Sequence, residues 1–268
     1  MYVAIDIGGT KTLIGIFSHT GDIISSEKFP TAPDYPIFLK TILQHLQKIE
    51  RPIEAICIAA PGKVSRQDGV VEAFGNLDWK NIALKKDIQK HFDVPILVEN
   101  DANLAGLSEA QFIKNDYKKI LYVTISTGIG TGIITNGIID PDFADSEGGQ
   151  MPLEHDGKII PWEDFASGKA IQNKYGKLAS EITDPEAWNE IARNIAIGLY
   201  DLLALLQPNV IILGGGALSK NFHLLIGPLK DKLNNNSNPL ITIPPILQAH
   251  RPEEAVIYGC YELIKMSI

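Results

Sequence analysis

The sequence has few cysteines, no paired histidines and no long apolar segment, and each absence excludes a class of protein. Its two cysteines, Cys57 and Cys260, lie in apolar segments, which predicts core thiols and excludes a disulfide framework. The six histidines are scattered, without the spacing of metal ligands. No apolar run approaches the ~18 residues that a membrane-spanning helix needs. The first residues lack the basic region and cleavage site of a signal peptide, so we expect a soluble cytoplasmic protein.

Positive charge is also scarce. Lys and Arg number 24 and Asp and Glu number 32, which makes the net charge −8 over 268 residues. This balance argues against a nucleic-acid partner or an anionic membrane surface recognised through bulk charge. The hydrophobic fraction of 45% is that of an ordinary globular protein. At roughly 150 residues per domain, the length predicts one large domain or two modest ones.

What the sequence does contain is an internal repeat. Residues 3–10 form an apolar run that ends in a Gly/Thr loop, and residues 12–17 form a second run. Residues 121–128 and 130–135 repeat that arrangement about 118 residues further along the chain. Each copy predicts a strand, a tight loop, a second strand and a hairpin turn, with Gly21 and Asn136-Gly137 at the turns.

Strand and helix signals alternate along the rest of the chain. Apolar residues recur at helical spacing from Phe38 to Ile49, and Asp184-Pro185 is typical of a helix start. Short buried strands are predicted at the apolar runs 55–60, 95–98 and 210–213. The pattern predicts an α/β fold with two similar halves. We expect a small N-terminal lobe at 1–115, with the helix 252–268 packing back on it, and a larger lobe at 116–251.

Both Gly/Thr loops are candidate phosphate-binding sites. Glycine lets a backbone approach a phosphate closely, and exposed amides, Thr hydroxyls and Lys11 can then bind the phosphate oxygens. Either loop taken alone is equally consistent with a tight hairpin, but two loops at matching positions favour phosphate binding. Neither loop has the pattern of a Walker sequence or of a dinucleotide-binding fingerprint.

Two carboxylates follow predicted buried strands. Asp6 ends the first strand, where a carboxylate is costly unless it is hydrogen-bonded or near a cation. We interpret it as an indirect partner of Mg²⁺, acting through another ligand or through water, and the alternative is a carboxylate that caps its own loop. Asn100 and Asp101 follow the strand at 95–98 and open a helix. Asp101 suits a general base, although both residues are also typical helix N-caps.

Six segments together resemble the ROK family of sugar kinases, and they run in order along nearly the whole chain. They are D-I-G-G-T-K at 6–11, A-A-P-G at 59–62, G-N-L-D-W at 75–79, V-E-N-D-A-N at 98–103, S-T-G-I-G-T-G at 126–132 and G-G-G at 214–216. The resemblance implies an actin-like or hexokinase-like fold, with two lobes of duplicated hairpin and sheet around a cleft. It implies ATP, Mg²⁺, transfer to a hexose hydroxyl, with the 6-hydroxyl of glucose as first choice, and a homodimer.

The resemblance also implies roles for single residues. Asp101 matches the catalytic base. The implied sugar-binding residues, in addition to Asp101, are Asn76, Asn100, Glu147, Gln150 and Glu163. The implied nucleotide and phosphate residues are Asp6, Gly8, Gly9, Thr10, Lys11, Thr127, Gly128, Gly130, Thr131, Gly214, Gly215 and Gly216.

The chain departs from the family pattern at its zinc segment. Where the family has a Glu-x-Gly-His motif, this chain has Glu147-Gly148-Gly149-Gln150, and no cysteine lies between Gln150 and Glu163. Gln is a poor zinc ligand and carries no charge, so we expect no structural zinc. Trp162 and Ile160 are expected to supply apolar packing in its place.

Several alternatives stay open. Zinc-free relatives include enzymes that use polyphosphate as well as ATP, but an acidic chain is a poor host for a long polyanion. A sugar-sensing repressor of the same family conflicts with the net charge and with a first strand that is expected to start at Tyr2 or Val3. A sugar-independent ATPase conflicts with the hexose set, and a degenerate sugar binder is favoured by Gln150. Glucose, mannose, fructose and N-acetylated hexosamines all fit the motifs.

Overall fold

The structure is a computed structural model that describes residues 1–75, 77–235, 238–251 and 253–268. It divides into two compact units, residues 1–108 with 254–268, and residues 109–253. These units differ from the expected lobes mainly in residues 109–115. Asn76, which we assigned to sugar binding, and Pro252, expected near the start of the last helix, lie outside the described residues.

Strands and helices alternate along the chain, which confirms the α/β class. The strands are β1 Tyr2–Ile7, β2 Lys11–Phe17, β3 Ile23–Pro30, β4 Ala55–Ala60, β5 Gly62–Ser65, β6 Val70–Phe74, β7 Lys80–Ile82, β8 Ile96–Asn100, β9 Lys119–Ile125, β10 Ile129–Thr135, β11 Ile138–Ile139, β12 Pro152–His155, β13 Lys158–Pro161, β14 Val210–Gly214 and β15 Ile246–Gln248. The helices are α1 Tyr35–Gln47, α2 Leu84–Gln89, α3 Asp101–Ala110, α4 Trp162–Ala166, α5 Gly168–Tyr175, α6 Pro185–Leu206, α7 Phe222–Asn235 and α8 Ala255–Ser267.

The internal repeat is confirmed by the two large sheets. The first has the order β3-β2-β1-β4-β8 and the second has the order β11-β10-β9-β14-β15. In each sheet the three strands of the repeat are antiparallel, and two further strands run parallel to the first strand of the repeat. The hairpin turns also match, since Gly21, Asn136 and Gly137 all have positive φ.

The first unit packs helices on both faces of its sheet. Phe38, Ile42 and Leu46 of α1 are buried against one face, at the spacing that predicted this helix. The Asp34 carboxylate caps α1 by accepting the Ile37 N–H at 3.0 Å. The other face is covered by α8, whose Ile257 belongs to the same core cluster as β1 and β4 residues.

The second unit is built around α6, a helix of 22 residues. Its start is the one the sequence predicts, because the Asp184 carboxylate accepts the Glu186 N–H at 3.0 Å and Pro185 takes the first helical position. It ends at Gln207, which has left-handed φ, just before Pro208. Its apolar face joins the core of β9, β10 and β14. Among the described residues, no helix has the length and apolar character to cross a membrane.

Candidate functional site

The first unit gathers two carboxylates at one edge of its sheet. Strands β1, β4 and β8 are parallel, and in register Asp6 pairs with Ala59, which pairs with Glu99 on the other side. Asp6 and the residues that follow β8 therefore lie at the same carboxyl edge. Burial raises the pKa of Asp6 from 3.8 to about 7; the Asp101 carboxylate adds to this rise and Lys28 partly offsets it.

Asp101 is half-buried in the first turn of α3. Its Oδ1 accepts the Ala102 N–H at 2.9 Å. Burial raises the pKa of Asp101 above its usual range, while backbone N–H bonds from Ala102 and from Asp101 itself lower it in part. A carboxylate that is poorly hydrated and has a raised pKa is a stronger proton acceptor than an exposed one.

The Asp6 carboxylate has the chemistry of a cation partner. Among the described residues it accepts no hydrogen bond, and its neighbouring charges are one carboxylate and one lysine. Two carboxylates with raised pKa values at one sheet edge are each stabilised by a divalent cation, and Mg²⁺ prefers oxygen ligands. The chemistry of Asp6 with Asp101 would therefore suit Mg²⁺ held through bound water, and this assignment of Asp6 stays a prediction.

The first glycine loop joins β1 to β2 in a closed turn. The Gly8 N–H donates to the Lys11 carbonyl at 3.0 Å, and a side chain at Gly8 would come within 2.7 Å of that oxygen. Thr31 holds the loop from outside, since its hydroxyl donates to the Gly8 carbonyl at 2.8 Å and its N–H to the Thr10 carbonyl at 3.0 Å. Gly9 is half-buried and the side chains of Thr10 and Lys11 are exposed. These hydrogen bonds hold the loop in one closed turn, with the side chains of Thr10 and Lys11 exposed.

The segment before Asp101 is held by a buried ion pair. Glu99 is 4% exposed, and Arg66 donates to it twice, from Nε at 2.6 Å and from Nη2 at 2.8 Å. Glu99 Oε1 also accepts the Asn100 N–H at 2.7 Å and the Asn103 side-chain amide at 3.0 Å. This bidentate arrangement fixes the turn from β8 into α3. Sequence reasoning missed Arg66 and Glu99, although a charged residue inside an otherwise apolar strand was a usable signal.

Asn100 caps α3. Its Oδ1 accepts the N–H groups of Ala102 at 2.9 Å and Asn103 at 3.2 Å, and its Nδ2 donates to the Gly62 carbonyl at 3.1 Å. The structure therefore shows the Asn100 side chain as the N-cap of α3, which was the alternative role considered for it. One amide hydrogen of Asn100 remains beyond these bonds for a ligand hydroxyl.

The second glycine loop is shorter than the motif suggests. Only residues 126–128 form the loop, where the Ser126 N–H donates to the Gly128 carbonyl at 2.9 Å and the Ser126 carbonyl accepts the Gly168 N–H at 2.7 Å. Ser126 and Thr127 are exposed. Gly130 lies inside β10, paired with Thr124 of β9, and its assignment to phosphate binding stays a prediction.

Thr131 supports the Glu147–Gln150 segment. It is 3% exposed, and its hydroxyl accepts the Gly148 N–H at 3.1 Å and donates to the Ser146 carbonyl at 3.4 Å. In this structure the hydroxyl is thus engaged by backbone groups, and its assignment to phosphate binding stays a prediction. Gly149 lies so close to the Ile129 carbonyl that no side chain fits there. The two glycines of this motif thus allow its close approach to β10, which leaves the side chains of Glu147 and Gln150 exposed.

Glu163 joins that segment to the second glycine loop. Its Oε1 accepts the Gln150 side-chain amide at 2.7 Å, and its Oε2 accepts the Ile129 N–H at 3.1 Å. Trp162, the residue before it, is fully buried and donates from Nε1 to the Asn194 carbonyl at 3.1 Å. The apolar anchoring expected of Trp162 is confirmed, and Ile160 packs on the same core.

The described residues contain no group of three or more His, Cys, Asp or Glu side chains that could hold a metal ion. His155, the histidine in the segment between Gln150 and Glu163, stacks on Phe165 with ring centroids 4.2 Å apart.

Gly214–Gly216 ends β14 beside a cavity of about 330 Å³. Side chains are excluded at Gly214 by the Tyr122 hydroxyl and at Gly215 by the Ile125 carbonyl, and Gly215 has a φ of +93°. Gly216 and the loop residues Ser126 and Thr127 line the cavity. A cavity of this size accommodates a nucleoside.

Sequence reasoning missed the rest of that cavity. Its other lining residues are Gly168, Lys169, Gln172, Leu178, Ala179, Ser180 and Ala217. The available signal was Ser167, a helix cap whose hydroxyl accepts the Ala170 N–H at 3.2 Å and so marks the start of α5.

A duplicated hairpin-and-sheet unit with glycine loops and strand-end carboxylates is the arrangement of an actin-like phosphotransferase. The chain belongs to the ROK family, whose family model matches residues 2–266. A glucokinase of Streptomyces coelicolor is 29% identical to it, over 85% of both chains. A putative fructokinase of Bacillus subtilis is 30% identical over 82% of this chain and 78% of the relative. A ROK family glucokinase from Streptomyces griseus, solved with glucose and AMPPNP, superposes with a TM-score of 0.83 at 26% identity over 98% of both chains.

Proposed function

We propose that the protein transfers the γ-phosphate of ATP to a hexose hydroxyl, the 6-hydroxyl of glucose first, with Asp101 as the general base. One observation carries the proposal: Asp101 is a half-buried carboxylate with a raised pKa on a turn that the Glu99–Arg66 pair makes rigid. The family and its glucokinase and fructokinase relatives support the same reaction class.

Asp101 would take the proton of the attacking hydroxyl. Burial raises the pKa of this carboxylate toward the operating pH. It therefore accepts the hydroxyl proton more readily than an exposed carboxylate does. The remaining contribution is positioning, because phosphoryl transfer depends mainly on alignment and charge stabilisation. The Glu99 contacts to Asn100 and Asn103 supply that alignment on the acceptor side.

The sugar-binding side chains in this proposal are the ones that the family resemblance implies, namely Asn76, Asn100, Glu147, Gln150 and Glu163. Support comes from the exposure of Glu147 and Gln150 on a segment fixed by Gly148 and Gly149. Gln150 retains a carbonyl oxygen and one amide hydrogen beyond its bond to Glu163, enough for one or two sugar hydroxyls.

ATP would be bound in the second unit, with adenosine in the 330 Å³ cavity and phosphates at Ser126–Gly128. The family resemblance also assigns phosphate binding to the first glycine loop, with Lys11. Mg²⁺, when bound near Asp6, would neutralise the phosphate oxygens. Polyphosphate as donor is disfavoured by the net charge of −8.

The test is a coupled kinase assay over a panel of hexoses, with ATP and polyphosphate as alternative donors. We expect ATP-dependent turnover and a loss in kcat on the order of 10²–10⁴ for Asp101→Asn, with sugar binding nearly unchanged. The matched control is Asp93→Asn, an exposed aspartate of the same unit. An Asp101→Asn variant with the control's turnover would remove the general-base assignment.

A sugar-binding protein without turnover is the second candidate. The observation that favours it is Gln150, an uncharged residue where the family motif has histidine. Calorimetric titration with glucose, mannose, fructose and N-acetylglucosamine separates the two candidates, since a degenerate member binds a sugar in that panel yet gives no product in the coupled assay.

A further inference from the structure

Glu163 connects the proposed sugar-binding segment to the proposed phosphate loop through a single carboxylate. Oε1 accepts the Gln150 amide at 2.7 Å, and Oε2 accepts the Ile129 N–H at 3.1 Å. Ile129 directly follows the loop Ser126–Gly128. A Cβ added at Gly128 would lie 2.5 Å from Glu163 Oε2, so the carboxylate lies directly against the loop backbone.

In this position the Glu163 carboxylate would compete with a phosphate group for the backbone N–H groups of the loop. Backbone N–H groups beside a glycine loop are the donors that bind phosphate oxygens, and Glu163 already occupies the one at Ile129. Its negative charge also repels a phosphate placed on the same loop. The second unit without ligand is thus arranged against tight nucleotide binding.

We propose that Glu163 restrains the phosphate loop until hexose binds, and so selects hexose over water as the phosphate acceptor. The inference rests on the proposed function in assigning hexose to Gln150 and Glu163. Sugar hydroxyls that donate hydrogen bonds to Glu163 partly neutralise its charge and draw Oε2 away from the Ile129 N–H. This N–H can then donate to a phosphate oxygen. Hexose thereby raises nucleotide affinity, and nucleotide raises hexose affinity by the same factor.

The chain offers a variant pair that isolates this effect. Glu163→Gln keeps the size of the side chain and removes its charge, and Asp164→Asn removes one charge from the exposed neighbouring position of α4. Calorimetric titration with Mg²⁺ and AMPPNP, with and without glucose or the panel sugar that binds best, measures nucleotide affinity in each protein. Far-ultraviolet circular dichroism and thermal melting check that the variants are folded.

We expect hexose to raise AMPPNP affinity about ten- to a hundredfold in the wild-type protein and in Asp164→Asn. Without hexose, Glu163→Gln is expected to bind AMPPNP more tightly than both by about that factor, and hexose then changes little. A gain in affinity distinguishes this role from a merely structural one, because loss of loop support weakens binding.

Equal AMPPNP affinity of Glu163→Gln and Asp164→Asn without hexose would overturn the inference, as would weaker binding by Glu163→Gln or no detectable binding by any protein. This comparison contains no sugar, so it also holds if no panel hexose binds. In that case the sugar part of the proposed function fails, while tighter binding by Glu163→Gln still supports the restraint on the loop.

Discussion

Asp6→Asn is expected to make the protein more stable at pH 8 while removing its activity. Asp6 has a pKa of about 7 in the folded chain against 3.8 ordinarily, because burial and Asp101 disfavour its charge. Between these values the folded chain holds a proton that the unfolded chain has lost. The contribution of Asp6 to the free energy of unfolding therefore falls as pH rises from about 4 to about 7, and is then constant. Asn at this position carries no charge and undergoes no such loss.

The magnitude follows from the two pKa values. A pKa displaced from 3.8 to about 7 corresponds to about 4 kcal/mol at 1.36 kcal/mol per pKa unit. Asp6 is half-buried, so water screens part of this energy. We expect Asp6→Asn to gain about 1–3 kcal/mol at pH 8 over wild type, and the gain to shrink toward pH 5.

Urea denaturation of the ligand-free protein between pH 5 and pH 8 measures this difference. Asp93→Asn, an exposed site in the same unit, is the control and should change stability by less than about 0.5 kcal/mol. Added Mg²⁺ with AMPPNP should stabilise wild type more than Asp6→Asn, because the carboxylate that favours the cation is missing in the variant. A gain in stability that is the same at pH 5 and pH 8, or no gain at all, would refute the assignment of a raised pKa to Asp6.

Three further predictions concern other parts of the site. Arg66→Met should destabilise the first unit by about 3–5 kcal/mol, measured by urea denaturation, because Glu99 is left buried and unpaired; Arg66→Met with Glu99→Gln should recover part of this loss. Gln150→Ala should lower kcat/KM for hexose by a factor equivalent to about 1–3 kcal/mol of lost transition-state binding, and unchanged kinetics would place Gln150 outside the sugar site. Metal analysis of the purified protein should find no stoichiometric zinc, and one zinc per chain would contradict our interpretation of residues 150–163.

The sequence predicts what depends on local pattern. The repeat, the helix start at Asp184-Pro185 and the turn at Asn136-Gly137 all follow from spacing and turn chemistry, and the structure contains them. The burial of Trp162 was also predictable, because a large apolar residue in a segment without metal ligands is expected to pack on the core.

Other features depend on residues distant in the chain. The Arg66–Glu99 pair joins positions 33 residues apart, and no local signal names the partner of either charge. Thr131 was assigned to phosphate binding from its motif, yet its hydroxyl binds a segment 15 to 17 residues away. The cavity beside Gly216 forms where separate loops and helices meet, so its lining cannot be read from any one of them.

The indole of Trp162 occupies the space that a side chain at Gly198 would need. Substitutions at positions 162 and 198 are therefore coupled. A larger residue at 198 requires a smaller side chain at 162, and if the side chain at 162 becomes smaller first, the intermediate protein contains a cavity.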